Sequence, residues 1–437
     1  MVGGQFRELQ HGLSKITKGQ LYFGLLEIFY FGDPKLLKKL KMKKVVNALF
    51  LFLSLIQVIT AQNYKISKII VDKITKIPLP YANVSNGVDA TVSNVEGLFS
   101  FVSSKNEINF SFICYEPLET TFEAINKQDT IFLQPKAINL EEIVVGDMFP
   151  YMKKVLQNIR QNYKLTPYTE NFFLRNVLKR DNQIERLQDI HGKSSRSAMF
   201  TNSDKIEFSV EILNMRKTGI LGKSDAIYFK FPDFNEFYAM ILPKIDTKYV
   251  AFREEKVADT LFKKINFESK ESDEFGQKIN GYLVINKFDY AIVEYYISMY
   301  DEPEKSPYHE TPFFSKHQYR TMKYDKTVRF SKNANNNKYY LSSAKFDCQL
   351  EVLADKKIDK TFYYTLSMEY FTSKSFTNET IKSNFSVEKD IFKAKFPYSD
   401  EFWKNQNQLP LTTDLKDFLT TVAEKKNKKE FEIIGNF

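Results

Sequence analysis

Histidine and cysteine are the side chains best suited to hold a metal or attack a substrate, and this sequence has few of them. Four histidines and two cysteines are spread over 437 residues. His309-Glu310 opens the run "HETPFFSKH", but the next histidine, His317, lies eight residues on and Pro312 intervenes. The helical H-E-x-x-H pair, which sets two imidazoles on one face around zinc, cannot form there. His309 and His317 can still meet across a loop, and they are the candidate metal ligands; a lone loop pair is more often simply solvated. His191 is followed by Gly192-Lys193-Ser194, so it lacks the glutamate of a His-x-x-Glu zinc pair. There is no G-x-S-x-G elbow, phosphate loop or dinucleotide fingerprint, and the acidic residues are too scattered to nominate a glycosidase pair. No catalytic residue and no cofactor is assigned.

Cys114 and Cys348 are far apart and neither sits in a C-x-x-C pair, which excludes a zinc or redox motif of that kind. They can pair in an oxidising compartment; separate buried thiols are the simpler expectation, since free cysteine packs as a small hydrophobe.

The compartment is indicated by "MKKVVNALFLFLSLIQVITAQ", residues 42–62. Lys41, Lys43 and Lys44 precede about 15 nearly all-apolar residues, and small Ala61 stands just before Gln62. This is the three-part pattern of a secretory signal, with cleavage expected between Ala61 and Gln62. The run is short of the roughly 20 residues that span a bilayer, and it has no polar face at helical spacing as a core helix would. An uncleaved anchor and a core helix are the alternatives. A signal must come first to be read, so residues 1–41 are expected to be an over-extended reading frame; a genuine amphipathic segment is the alternative. No cysteine follows the signal to accept a lipid.

The formal net charge is +9, but residues 1–61 hold nine Lys/Arg against three Asp/Glu, leaving only about +3 for the rest. A nucleic-acid partner needs a basic patch on the folded domain, and that support is lost. With 43% hydrophobic and 15% aromatic residues the chain can bury a sizeable core, and its Phe, Tyr, Ile and Thr lean towards strands.

Residues 64–133 read as about seven short strands: "YKISKIIVD", "PYANVSN", "GLFSFV", "EINFSFICY", "TTFEAI" and "DTIFLQP" are their core. Pro78 and Pro80 force extended backbone, Gly97 permits a tight turn, and Phe99, Phe110 and Phe112 face inward. "FPYMKKVLQNIRQNYK" spaces Met152, Val155, Leu156, Ile159 and Tyr163 for one helical face, with Asp147 as its expected cap and Pro150 in its first turn. Beyond it, residues 168–410 read as strands and hairpins. "GQKINGYLVINKFDYAIVEYYISMY" is the clearest, and "DEPEKSPYHETPFF" is a Pro-rich loop. The tail "TTDLKDFLTTVAEKKNKKEF" reads as a charged helix.

The blocks "IIVDKITKIPLPYANV", "ATVSNVEGLFSF", "INFSFICYEPLETTF", "DTIFLQP" and "INLEEIVV" resemble the carboxypeptidase-D regulatory-like domain, a seven-stranded transthyretin-like sandwich. Pro78, Pro80, Asn83, Gly97, Phe99 and Tyr115 stand at matching motif positions, in structural roles. Glu96 replaces the usual Asp, and Cys114 stands where Gly is usual, which implies that the backbone there needs no positive φ. The resemblance brings no zinc site, because in metallocarboxypeptidases that site lies in a separate catalytic domain. The second half is similar to envelope proteins of the Bacteroidetes type, which carry a helix ending in Asn-Tyr, an Arg-containing strand and an acidic-Phe-Trp segment. Here these are Asn162-Tyr163, Leu174-Arg175-Asn176 and Asp400-Glu401-Phe402-Trp403.

The expected fold is mainly β. The divisions are 1–41 extension, 42–61 signal, 62–135 sandwich, 136–165 linker and helix, 166–411 a larger antiparallel domain (a curled sheet or half-barrel), and 412–437 a helix and tail. The expected function is that of an exported, non-catalytic protein of the periplasm or outer-membrane surface that binds a protein or glycan partner, possible outer-membrane association included. A hydrolase with a cryptic site in the β-rich domain is the alternative. An outer-membrane receptor, which also often begins with such a sandwich, is excluded by length, since its plug and barrel of about 22 strands would not fit.

Overall fold

Alternating apolar residues build the first seven strands: β1 (Tyr64–Asp72), β2 (Asn83–Ser85), β3 (Ala90–Val92), β4 (Leu98–Ser103), β5 (Glu107–Ser111), β6 (Leu118–Thr121) and β7 (Thr130–Leu133). They form a three-stranded sheet in the order β4-β1-β7 and a four-stranded sheet in the order β3-β2-β5-β6. Ile66, Ile70, Phe99, Phe101 and Ile131 from the first sheet meet Val84, Ile108 and Phe110 from the second in one cluster. A fully buried Phe or Ile contributes about 1.5–3 kcal/mol, so this small core is held by a handful of side chains. Phe112 is only half-buried, packed against the cluster from its edge.

The computed structural model describes residues 63–136, 148–200, 207–220, 229–232, 250–255, 261–272, 276–301, 308–310, 317–354, 360–425 and 430–437. The signal segment with Ala61 and Gln62, residues 138–145, Asp147 and most of the Pro-rich loop lie outside them. Residues 63–437 form one compact unit.

Two local readings of the sandwich are corrected. "TTFEAI" is not one strand: β6 stops at Thr121, and Phe122–Asn126 is a short helix, α1. The Thr121 hydroxyl accepts from Ala124 N at 3.2 Å, capping the turn, and Phe122 and Ile125, three apart, both bury. Cys114 does adopt a positive φ, +67°. The backbone keeps the left-handed turn, and the Cys side chain bears its strain. Neither cysteine is in a disulfide; Cys348 is buried, which pushes its thiol up to about 12, and Cys114 is half-buried.

Helix α2 (Phe149–Asn162) follows, with Pro150 in its first turn and Met152, Val155 and Ile159 buried. Its cap is Met148, which makes no side-chain hydrogen bond. Next come β8 (Tyr168–Arg180), β9 (Gln183–Arg196), β10 (Phe208–Ile220), β11 (Val250–Glu255), β12 (Phe262–Ser269), β13 (Gln277–Asn286), β14 (Ile292–Asp301), β15 (His309–Glu310), β16 (Gln318–Lys332), β17 (Tyr339–Ala354) and β18 (Lys360–Thr377). Helices α3 (Asp400–Lys404) and α4 (Thr413–Glu424) precede β19 (Phe431–Ile434). The tail is therefore not helical throughout: Phe431–Ile434 pairs with β10 as an edge strand.

The large sheet is antiparallel and runs β11-β12-β13-β14-β16-β17-β18-β8-β9-β10-β19, with β15 on β16; it is not closed into a barrel. One apolar cluster collects residues from across it together with Met152, Val155 and Ile159, so the sheet curls over α2. The Asn-Tyr pair at the helix end fixes that packing: Asn162 Nδ2 donates to Asp289 O and the Tyr163 hydroxyl to Ile292 O, both at 2.6 Å.

At Gly97, with φ +74°, an added Cβ would lie 2.6 Å from Ile70 O and 2.9 Å from Pro78 Cβ. Gly97→Ala should lower the urea-unfolding free energy by at least about 2 kcal/mol. Cys114→Gly should raise it by about 0.5–1 kcal/mol, since relief of a left-handed residue outweighs the added freedom of the unfolded chain. A destabilised Cys114→Gly protein would mean that the thiol packing matters more than the turn.

Candidate functional site

Strand register lines up four charged residues of alternating sign. Glu369 of β18 faces Arg175 of β8, Arg175 faces Asp189 of β9, and Asp189 faces Arg216 of β10. All lie on the sheet face opposite the α2 core, because Leu174, one residue from Arg175, belongs to that core. Arg175 grips Asp189 with Nε and Nη2 at 2.8 and 2.9 Å, and Arg216 reaches Asp189 Oδ2 with Nε and Nη2 at 3.1 and 2.7 Å. Arg175 and Asp189 have no exposed surface. Burial alone would push the Asp189 carboxyl up, but the two guanidiniums outweigh it and hold it below its usual range.

Spare donors of the two arginines catch an irregular strap between α3 and α4. Arg175 Nη1 donates to Pro410 O and Nη2 to Leu409 O, both at 2.9 Å, and Arg216 Nη2 to Gln408 Oε1 at 2.7 Å. The strap's other side holds the sandwich: Asn94 Nδ2 donates to Pro410 O at 3.2 Å and Val102 N to Asn407 Oδ1 at 2.7 Å. Tyr81, itself at φ +59°, donates to Glu369 Oε1 at 2.6 Å, joining the sandwich to the far end of the charged row. Beside it runs an aromatic row in which Phe371 faces Phe173 and Phe173 faces His191. Trp403 covers His191 at 4.9 Å between ring centroids and packs with Phe173, Phe371 and Tyr81. The Arg175 and Trp403 segments, separate features of the sequence, meet here. Asp189, Arg216 and Glu369 escaped the sequence reading, since only the register shows that they share a row.

Burial, with the Arg216 charge nearby, lowers the His191 imidazole to about 3, so it stays neutral in its aromatic box. His309 pairs with Tyr319 across the β15–β16 hairpin and is exposed. His317 stands just before β16, two residues from the position facing His309, so the hairpin makes the candidate pair near neighbours. Among the described residues no group of three or more His, Cys, Asp or Glu could hold a metal.

The other sandwich sheet faces the large sheet across a cleft of mixed polar and apolar lining. One part, of about 360 Å³, is lined by Asn83, Ser111, Tyr115, Arg329, Ser331 and Tyr339 among others. The adjoining part, of about 380 Å³, includes Asn86, Asp89, Glu107, Glu119 and Asn333. Ser85, Asn109, Lys332 and Tyr340 line both. Of the motif residues, Asn83 and Tyr115 thus reach the cleft. The Asn83 amide also donates to Ser85 and Ser111 at 3.3 and 3.4 Å, and the Tyr115 hydroxyl donates to Asp72 at 2.6 Å, locking the corner beside Cys114. Pro78, Pro80, Gly97 and Phe99 shape the sandwich and lie outside the cleft lining.

No family model matches the chain, and no curated protein matches it. Among solved structures, a conserved protein of unknown function with a hot dog fold from Alicyclobacillus acidocaldarius is 10% identical over 48% of this chain and 79% of that one. Its TM-score of 0.08 is too low to imply a shared fold.

Arg175→Met strands Asp189 Oδ1 and the Leu409 and Pro410 carbonyls, and should cost about 3–5 kcal/mol in urea unfolding. Amide exchange at Val102, whose acceptor sits on the strap, should accelerate with it; an unchanged rate would show that the strap holds without Arg175. His191 gives a pH signature. Its folded value of about 3 lies below the unfolded value of about 6.5, so the unfolded chain binds the proton first. Stability should therefore fall as pH drops from 6.5, by about 2 kcal/mol at pH 5, and His191→Phe should remove that share of the slope.

Proposed function

We propose that this chain is an exported, non-catalytic cell-envelope protein that binds a glycan in the cleft between its sandwich and its large sheet. In this reading the sandwich is a carboxypeptidase-D regulatory-like module that serves as one wall of a binding site. The observation that carries it is the cleft lining. Asn83, Ser85, Asn109, Ser111 and Ser331 offer amide and hydroxyl groups, beside the edges of the buried Tyr339 and Tyr340. Sugars present hydroxyl groups around an apolar ring face; such a lining answers the hydroxyls with hydrogen bonds, and the half-buried Phe112 and Ile113 give the ring apolar contact.

The charges favour an uncharged glycan. Lys136, Arg329 and Lys332 are balanced by Asp89, Glu107 and Glu119, and Arg329 is already paired with Glu294 at 2.5 Å. Glu107 and Glu119 are exposed diagonal neighbours on the paired strands β5 and β6, and Asp89 accepts from Ser103 and pairs with Lys374, so the lining offers solvated or engaged carboxylates and not an enclosed pair. Both walls belong to the same compact unit, so little is lost in ordering the site on binding. Export rests on the segment 42–61.

Native gels cast with a neutral glucan, mannan or xylan should retard the protein on at least one of them, with no release of sugar. Asn83→Ala with Asn109→Ala should weaken the retardation at least tenfold. Retardation on none, together with crosslinking of the cleft to an envelope protein, would replace the glycan by a protein partner. N-terminal sequencing of the chain from an envelope fraction should begin at Gln62; a mature chain beginning before Asn47 would sink the signal reading.

A further inference from the structure

The cleft does not end at Asp89. A third stretch, of about 350 Å³, adjoins it there. Asp89 and Ser373 line both this stretch and the middle one, just as Ser85, Asn109, Lys332 and Tyr340 line the middle one and the first. Its floor is Asn171, His191, Ser373 and Lys374 of the large sheet. Ser103 and Ser104 of the sandwich stand on one side, and Phe402 of α3 with Asn405 and Gln406 of the strap on the other.

Strand register puts the three stretches in line. On β18, β8 and β9 the charged row Glu369, Arg175, Asp189 is followed, two residues along each strand, by the aromatic row Phe371, Phe173, His191. The next pair on that face is Lys374 and Asn171, after an irregularity at Ser373. Phe172 belongs to the α2 core, so Phe173 and Asn171 on either side of it point the other way, towards the sandwich. On β16 and β17, Ser331 faces Tyr340. From Ser331 to His191 the floor crosses five neighbouring strands, β16-β17-β18-β8-β9, a span of roughly 19 Å at the usual strand spacing.

The polar groups are of one kind along this length. Asn83, Ser111 and Ser331 line the first stretch, Asn86 and Asn109 the second, and Ser104, Asn171 and Gln406 the third. In the third, the side chains of Ser104, Asn171, Ser373 and Gln406 make no hydrogen bond among the described residues. Asn171 is the most telling. It is half-buried and its Oδ1 is closed off without a partner, which leaves the two Nδ2 protons as its open donors. Charge is cancelled here as in the other two stretches: Asp89 and Lys374 pair at 3.5 Å, and the buried His191 is neutral.

We propose that the three stretches form one groove that binds an extended, neutral oligosaccharide chain lying across the strands. This rests on the glycan reading of the cleft and adds the form of the ligand, a chain of several units in place of a single sugar. A polymer repeats one set of hydroxyls, and the groove repeats one set of amides and hydroxyls to meet them. An extended peptide is the less suited chain. Peptides add to strand edges through their backbone groups, and this floor is the face of strands paired on both sides. Affinity should therefore grow with the number of sugar units covered, and loss of the far groups should cost a long chain more than a short one.

The probes are linear oligosaccharides of two to six units, cut from whichever polysaccharide retards the protein and titrated calorimetrically into the full chain. The six-unit chain is expected to bind at least tenfold tighter than the two-unit one. Asn171→Ala with Gln406→Ala should remove most of that advantage and bind the shortest measurable member as the parent does. This variant deletes no hydrogen bond among the described residues, so it should keep the parent circular dichroism and unfolding midpoint. Asn83→Ala with Asn109→Ala should weaken every member. Equal affinity at all lengths, or full length dependence in the folded Asn171→Ala, Gln406→Ala protein, would overturn the single groove and leave the cleft reading standing. Retardation by no polysaccharide, or binding of no member, would overturn both.

Discussion

The bidentate grip of Arg175 on Asp189 is the contact on which the rest of the molecule turns. Two fully buried ions are costly to desolvate, and each tolerates burial only while every lone pair and donor is matched. The matching here uses two flanking strands and a loop: Arg216 on the far side of Asp189, Glu369 on the far side of Arg175, and the carbonyls of Leu409 and Pro410 above. A one-residue slip of β8 against β9 would turn Arg175 towards the α2 core and leave Asp189 short of a partner. Hydrophobic alternation forbids the same slip, because it would also move Leu174 out of that core. The charged row and the apolar face therefore specify one register twice. Ion pairs of this kind contribute more to uniqueness than to net stability, and the sheet, long and open-ended, is where uniqueness is needed.

The same contact explains why a seventy-residue sandwich is held firmly on a much larger sheet. The strap is the intermediary: arginine donors take its carbonyls from below, and the sandwich reaches its groups through Asn94 and Val102. Tyr81 makes the link direct at the other end of the row. Trp403 and Leu409 then fill the space between with apolar contact. Two of these sandwich contacts come from strained or tight local backbone, Tyr81 at positive φ and Asn94 in the turn that Gly97 closes. The irregular points of the sandwich are thus its docking points, which is where stored strain is usually found.

What could be read from the sequence follows the range of the interactions. The sandwich strands, helix α2 and the hairpins depend on neighbours a few residues apart, and their alternation or helical spacing is plain. Asn162-Tyr163, Arg175 and Trp403 stood out as residues, but not as an assembly. A period of two tells which face a residue takes and says nothing about which strand lies beside it, so Asp189 and Arg216 look like ordinary exposed charges until β9 and β10 are paired. The Cys114 error has a different origin. A missing glycine was read as a relaxed backbone, whereas the turn is dictated by its surroundings, with the Tyr115–Asp72 bond beside it, and the residue conforms. In "TTFEAI" a β-prone composition lost to a single capping hydroxyl. In the tail, the strand at Phe431 depends on a free edge on β10, which no local pattern announces.

Where the cavities lie follows from how the sheet is filled. A curled sheet offers a concave face as its obvious pocket, but α2 and the apolar cluster occupy it here. The opposite face carries the charged and aromatic rows, and it is covered where the strap, α3, α4 and the sandwich reach it. A small two-sheet module cannot match the twist of a large sheet over its whole width, so its docking leaves gaps beside the points of contact. One gap is bounded by the sheet containing β2 and β5, the other by the sheet containing β1 and β4. Their chemistry differs because the walls differ: amides, hydroxyls and tyrosines in the first, the apolar side chains of Ile69, Leu98, Leu409 and Leu411 in the second. Both gaps have walls fixed by the Arg175 assembly, so the contact that sets the register also gives each cavity its shape before any ligand arrives.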